Sequence, residues 1–442
     1  MFAASAQPNI RTSHTPLMPD THFACRDCGQ IYLAGGELLR RGSLRCRRCG
    51  TLLWRTRSGR FADPRAFAIT GAILLALANT FPLFAVSVAG DHRSGVIADG
   101  AAALFGYGGG ISAVGGLVAV IAVAIPALDI ALTLVTLLYV GARSAAGRSR
   151  RLPPGLATMW LWAVRLRPWS MLDVFLLGAV VAYTRLGQLA QVGVAIGGYA
   201  LAGFVLIQVL LEETLGRQLV WNQIADPAKY APAPGEPWML CLDCDLVVGA
   251  RHANAGAVAG RRRRCPRCGT RLDPRRPASL AFTAALTLAG FILYFPANLF
   301  PVLTITRFGR SEAYTILGGV RDLAQAGLWP LALLVLLASI VVPVLKLAGL
   351  TWCVVAIRLR SARWLRQRTK FYRFIDYIGR WSNIDVFVVA LVTAMIQFGT
   401  VSTVEPGPGI ASFAAVVVLT MIAADAFDPR LMWDAAAAGR PG

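Results

Sequence analysis

Charge is what this chain has least of. Only 15% of its 442 residues are Asp, Glu, Lys or Arg, against about a quarter in soluble domains, which excludes an ordinary water-soluble globule. Acid is scarcer still: 23 Asp and Glu stand against 44 Lys and Arg, a formal charge of +21. A basic excess serves nucleic acid, anionic lipid or membrane topology. The arginines crowd at the ends of apolar runs and leave the runs nearly clean. That is the positive-inside pattern, so no nucleic-acid partner is expected. The four histidines, His14, His22, His92 and His252, form no cluster. No serine or cysteine nucleophile triad stands out, and Gly106-Tyr107-Gly108-Gly109-Gly110 has neither the strand context nor the lysine of a phosphate loop. The chain therefore reads as a non-enzyme without a nucleotide cofactor. Met1 to Asp20 lacks an apolar h-region, so no cleaved signal peptide is expected.

What the chain does have is apolar length, twice over. Hydrophobic residues make up 56%, with a mean hydropathy of +0.57. In the first half, apolar runs cover about 66–90, 111–140, 171–186 and 192–211, and about twenty residues suffice to span a bilayer. The landmarks then recur. Asn79-Thr80-Phe81-Pro82 returns as Asn298-Leu299-Phe300-Pro301, and Pro126-Ala127-Leu128-Asp129 as Pro343-Val344-Leu345-Lys346. Trp169-Ser170-Met171-Leu172-Asp173-Val174-Phe175 returns as Trp381-Ser382-Asn383-Ile384-Asp385-Val386-Phe387, and Leu219-Val220-Trp221 as Leu431-Met432-Trp433. One order, offset by about 212 to 219 residues, means duplication. Four spans per repeat make the repeats parallel, related by a pseudo-two-fold along the membrane normal. The basic segments 22–65, 141–168, 214–277 and 358–380 then fall on one side, and both termini are expected in the cytoplasm.

The expected fold is an all-α polytopic membrane protein with eight spans in two parallel repeats. It divides into a disordered tail (1–21), a zinc ribbon (22–62), a four-helix repeat (63–213), a linker with a second ribbon (214–277), a second repeat (278–425) and a cytoplasmic tail (426–442). The ribbons rest on eight of the nine cysteines. Cys25-x-x-Cys28 precedes Cys46-x-x-Cys49, and Cys241-x-x-Cys244 precedes Cys265-x-x-Cys268, with inner gaps of seventeen and twenty residues. Two such knuckles aim four thiolates at one tetrahedral ion. A closed four-cysteine site predicts two structural Zn2+ ions, whose binding would supply folding energy that so small a module lacks. The sharper alternative is a rubredoxin-like iron centre passing electrons.

The remaining charges lie inside apolar runs. Lys346 precedes Arg358 by twelve residues, about 18 Å of helix, too far for a lysine to snorkel. It forms either a structural ion pair or part of a substrate path. Asp129 holds the equivalent site, and the two either face each other or belong to separate half-sites. Pro126 and Pro343, each three residues earlier, are expected to bend both helices. Ser170-x-x-Asp173 and Ser382-x-x-Asp385 have capping-box spacing, so these aspartates begin helices, do chemistry, or both. Asn79, Pro82, Asn298 and Pro301 either end the first helix of each repeat or gate a cavity.

Taken together and in this order, these residues resemble the paraquat-inducible protein A family, including its lipophilic envelope-spanning tunnel protein A group. The features that carry the likeness are the paired four-cysteine ribbons, the Phe-Pro element, Trp-Ser-x-x-Asp-Val-Phe and the closing Leu-x-Trp. The resemblance implies a Gram-negative inner-membrane protein with tetraspanin-like halves and cytoplasmic zinc ribbons. It further implies a periplasm-spanning MCE-domain tunnel as partner and phospholipid as cargo. The family's polar network maps onto Lys346 and Asp385, with Ser382, and onto Ser170 and Asp173 in the first half. A lysine common in the family is replaced by Ser170, which puts a symmetric two-lysine mechanism in doubt. Two alternatives are a redox ribbon protein and a structural anchor for the tunnel.

Overall fold

The computed structural model describes residues 21–34, 43–55, 62–88, 91–145, 152–187, 191–254, 263–307, 309–396 and 402–438. Most of the expected N-terminal tail lies outside them, as do Arg40, Arg41, Arg148, Arg150, Arg151, Arg261 and Arg262.

Four short strands form the first ribbon: β1 (Thr21–Ala24) pairs with β2 (Ile31–Ala34), and β3 (Ser43–Arg45) with β4 (Leu52–Arg55). Helix α1 (Ala62–Thr80) follows and ends earlier than the apolar run predicts. Asn79 and Thr80 turn their side chains back onto the carbonyls of Leu75 and Ala76, and Pro82 offers no amide to continue the ladder. The rest of that run is a strand, β5 (Phe84–Val88), paired with β6 (Asp91–Gly95). Helix α2 (Ile97–Phe105) leads to the second span, α3 (Gly109–Ala119) continuing into α4 (Ile125–Ala145). The third span joins α5 (Leu156–Leu166) through a 3-10 turn, Arg167–Trp169, to α6 (Leu172–Gly187). Strand β7 (Gln191–Val194) completes a three-stranded sheet against β5, and α7 (Ile196–Thr214) and α8 (Arg217–Ile224) close the repeat.

The second half repeats the plan. After β8 (Trp238–Leu240), β9 (Val247–Gly249) and the single turn α9 (Ala250–Asn254) come α10 (Ser279–Leu299) and the hairpin β10 (Leu303–Arg307) with β11 (Arg310–Tyr314). Helix α11 (Ile316–Gln325) precedes α12 (Trp329–Leu336) and α13 (Val342–Arg358), and α14 (Leu365–Ile378) runs through a 3-10 turn into α15 (Ile384–Met395). Strand β12 (Ser402–Pro406), α16 (Gly409–Ala426) and α17 (Arg430–Ala438) finish the chain.

Seven helices among the described residues are long and apolar enough to cross a membrane; the eighth, Pro64–Thr80 of α1, falls short of that length. Phe282, Leu288, Ile292 and Phe295 on α10 are exposed, an apolar surface that water would not tolerate but lipid does. The two three-stranded sheets lie at the helix ends away from the ribbons, an addition to the all-helical expectation.

Each expected proline bend takes a specific form. A π turn, Val120–Ala124 before Pro126 and Leu337–Val341 before Pro343, joins the two parts of the second span in each repeat. Proline lacks the amide that an α-ladder requires, and the wider turn absorbs the mismatch.

The repeats meet through equivalent residues, as a two-fold axis requires. Phe175 and Phe387 stack edge to face with centroids 5.1 Å apart, and the Asn383 amide lies 3.0 Å from the Met171 sulfur. The Trp-Ser-x-x-Asp-Val-Phe copies therefore form the seam between the halves.

Candidate functional site

All four knuckles share one geometry. The amide after each second cysteine donates to the carbonyl of the first, as Gly29 does to Cys25 and Gly269 to Cys265. Residues Gly29, Gly50, Asp245 and Gly269 all take positive φ, between 59° and 81°. Asp245 tolerates this because short polar side chains visit the left-handed region. In each ribbon the four Sγ atoms are buried and lie within 4.8 Å of one another, with close pairs at 3.4 Å in the first and 3.5–3.6 Å in the second. A tetrahedral ion with Zn–S bonds of ~2.3 Å would set sulfurs about 3.8 Å apart, so both sets fit one metal ion each.

Each ribbon docks on a mid-repeat helix and the helix that closes the repeat. Ribbon one sits on α14 and α17: Arg373 reaches Asp27 at 3.5 Å and donates to the Cys49 carbonyl, while Arg48 lies 4.4 Å over the Trp433 ring. Ribbon two sits on repeat one. Arg165 forks onto Asp243 at 2.9 and 3.0 Å, and Arg267 covers Trp221 at 5.6 Å. The ribbons also touch each other through Arg26 and Asp245 and an apolar cluster of Ala24, Leu240 and Val247.

Beneath them, both repeats and both ribbons line a cavity of about 900 Å³. Eight basic and five acidic side chains face it. Lys346 is on its wall, 1% exposed, and donates to the Gly379 carbonyl at 3.2 Å. Its facing charge is Asp376, also on the wall. No carboxylate lies within 4 Å of Lys346 among the described residues. Lys346 and Asp385, both members of the expected polar network, are thus not in contact here.

Asp129 answers the question of pairing. It lies 3.7 Å from Arg167 and accepts from Thr133 and Gln208, both at 3.4 Å. Asp129 and Lys346 therefore belong to separate half-sites. Arg167 and Gly379 stand at equivalent positions, 212 apart, so the halves trade roles. One half supplies the cation from the turn and the anion from the helix; the other supplies a carbonyl from the turn and the cation from the helix.

The two aspartates of the seam meet arginines. Asp173 pairs with Arg380 across the axis at 2.8 Å. Asp385 faces Arg185 and Ser339, and its Oδ2 is buried without a hydrogen-bond partner. Ser382 Oγ is likewise buried and unpartnered, and Asn383 precedes α15 without a side-chain cap, so no capping box forms there. Ser170 ends its 3-10 turn, its amide donating to Leu166 and Arg167. Neither Asp385 nor Asp173 lines the cavity, although Arg380 does.

The candidate gate residues lie away from the cavity lining. Asn79 and Asn298 donate to Leu75 and Tyr294, each one turn back on its own helix. The carbonyls of Pro82 and Pro301 accept the amides of Gly197 and Gly409 at 2.9 and 3.0 Å. A Cβ on either glycine would come within 2.5 Å of a backbone carbonyl oxygen. These elements fasten the end of the first helix to the start of the fourth. Arg26, Arg185, Arg217, Ser339, Asp376 and Asp425 escaped the sequence reading as site residues, because only the fold brings their segments together.

This is a duplicated, multi-pass membrane protein whose repeats are clamped by four-cysteine modules over a polar cavity. The chain belongs to the family described as "Paraquat-inducible protein A", which matches residues 61–225 and again 280–437. Among its relatives is the "Intermembrane transport protein PqiA" of Escherichia coli K12, 30% identical over 421 residues, covering 93% of this chain and 95% of the relative. The "Lipophilic envelope-spanning tunnel protein A" of the same strain is 32% identical over 289 residues, 65% of each chain. A "Probable intermembrane transport protein" of Haemophilus influenzae is 26% identical over 268 residues, 61% of this chain and 64% of the relative. No solved structure matches the chain.

Proposed function

We propose that this protein is the inner-membrane component of an MCE-type lipid transport system, passing phospholipid between the membrane and a periplasm-spanning tunnel partner through the cavity between the repeats. The observation that carries the reading is the cavity of about 900 Å³, walled by both repeats and holding a lysine 1% exposed. A buried ammonium with one acceptor has two N–H donors left for a ligand. The names of the relatives, transport proteins rather than enzymes, agree with that reading. On it, Lys346 engages the headgroup, and Asp129, Asp173, Asp385, Ser170 and Ser382 hold the polar seam that lets the halves move against each other. Two zinc ions stiffen the ribbons, which face the cytoplasm together with both termini. The test is lipid co-purification and transfer to the tunnel partner. Lys346→Ala and Asp385→Asn are expected to lower transfer at least tenfold while remaining folded; unchanged transfer by folded variants removes both residues from the mechanism.

A further inference from the structure

Three guanidinium groups from separate parts of the chain converge on one wall of the cavity. Arg26 comes from the first knuckle, Arg167 from the turn between α5 and α6, and Arg217 from the start of α8, and all three line the same space. Each uses part of its fork on the protein. Arg26 meets Asp245, Arg167 meets Asp129 and Thr133, and Arg217 donates to the Asp243 carbonyl. Each also keeps one buried N–H donor with no acceptor: Arg26 Nη2, Arg167 Nε and Arg217 Nε. Orphaned buried donors are costly, and these three, like Arg380 Nε, belong to side chains that line the cavity. The groups also repel. Burial first, then the charge of Arg26, lowers the Arg217 guanidinium to about 10, with Arg167 adding to the effect.

Planar forks with spare N–H groups match the oxygens of a phosphate. We propose that Arg26, Arg167 and Arg217 form a phosphate-binding subsite, which seats the phosphodiester of a lipid headgroup entering the cavity. This deepens the transport reading and rests on it for the source of the phosphate. Because Arg26 belongs to ribbon one, an occupied subsite also ties that ribbon to repeat one, which it otherwise touches through exposed contacts such as Arg55 with Glu213 at 3.7 Å. Lys346, on the repeat-two side, is then free to contact a different part of the same headgroup.

The experiment uses the full chain with its metal, purified in detergent and in nanodiscs of phosphatidylethanolamine and phosphatidylglycerol. Retained phospholipid is counted by mass spectrometry, and thermal stabilisation by inorganic phosphate is measured alongside. The variants are Arg26→Gln with Arg217→Gln, the milder Arg217→Lys, and the control Arg271→Gln, which removes an exposed cavity cation. We expect the double variant to retain at least tenfold less lipid, Arg217→Lys several-fold less, and Arg271→Gln about as much as the parent. Arg217→Lys keeps the charge and secures a folded comparison. Lipid that the parent retains and the folded double variant loses assigns the subsite to the headgroup. Stabilisation by inorganic phosphate that the double variant loses, with no lipid retained by the parent, keeps the subsite for free phosphate and sinks the lipid reading. Equal retention and equal phosphate response in all folded variants overturn the subsite and leave the lipid reading standing.

Discussion

Replacing Gly379 by alanine tests the environment of Lys346 through its neighbour rather than its charge. An ideal Cβ on Gly379 falls 2.5 Å from Lys346 Cε, 2.7 Å from Nζ and 3.2 Å from Cδ, where carbon pairs rest at about 3.5–4.0 Å. The ammonium must retreat by about 1 Å, which breaks its 3.2 Å bond to the Gly379 carbonyl. The clash itself is relieved cheaply, because the crowding atoms are the far end of a flexible side chain that borders the cavity, whereas a buried donor stripped of its acceptor costs about 1–3 kcal/mol. We expect a loss of about 1–3 kcal/mol, read as a fall in the thermal or denaturant midpoint of the purified protein. Combining Gly379→Ala with Lys346→Ala removes the clash, so the double variant should cost less than the sum of the singles by at least about 1 kcal/mol. The control is Gly187→Ala, where a Cβ meets no atom within 4 Å; it should change stability by no more than about 1 kcal/mol. Gly379→Ala as stable as the parent, or a coupling of zero, would refute the packing of Lys346 against this turn.

Other outcomes follow from the same contacts. Metal analysis of the purified chain should return two equivalents of zinc and no visible absorbance; iron with thiolate absorbance would restore the electron-transfer alternative. Cys49→Ser should raise hydrogen exchange in α14 and α17, on which ribbon one rests, more than in α8; the reverse order would contradict the docking. Asp428 accepts from Arg430 at 2.7 and 2.9 Å and from the Arg276 amide at 3.2 Å. Burial alone would raise its carboxyl, but the Arg430 hydrogen bonds and charge hold it below the usual range. Its stabilisation is therefore full above the unfolded value, about 3.9, and fades as pH falls through the lower folded value. Asp428→Asn should melt below the parent at pH 7, with the two curves converging in strong acid; a gap that persists there would refute the linkage.

Much of the architecture was legible in local pattern. Knuckle spacing, apolar run length and repeated landmarks are all written in neighbouring residues, and the structure returns them as four turns with the same hydrogen bond and positive φ, long helices and a contact of Phe175 with Phe387 across the seam. The end of the first span was not legible, because Phe84, Val86 and Val88 read as apolar in helix or strand alike. Nor was the pairing of the buried charges. Asp385 and Lys346 share a repeat and a plausible depth, yet the π turn and the missing side chain at Gly379 direct Lys346 to a backbone carbonyl. The arginine wall depends on the docking of ribbon one, whose contact from Arg373 to Cys49 spans 324 residues. No periodicity encodes a contact of that range.

The position of that docking surface bears on how the chain is made. Ribbon one is translated long before Tyr372, Phe427 and Trp433, on which it rests. Nearly 380 residues separate Arg55 from Trp433, roughly 20–80 s of synthesis at about 5–20 residues per second. During that interval the ribbon has its metal ligands but not its seat. Its arrival on Trp433 closes the chain into a ring from the first knuckles to α17. Assembly thus has a step that only a chain extending through Trp433 can take, and a product cut before it exposes an unseated ribbon.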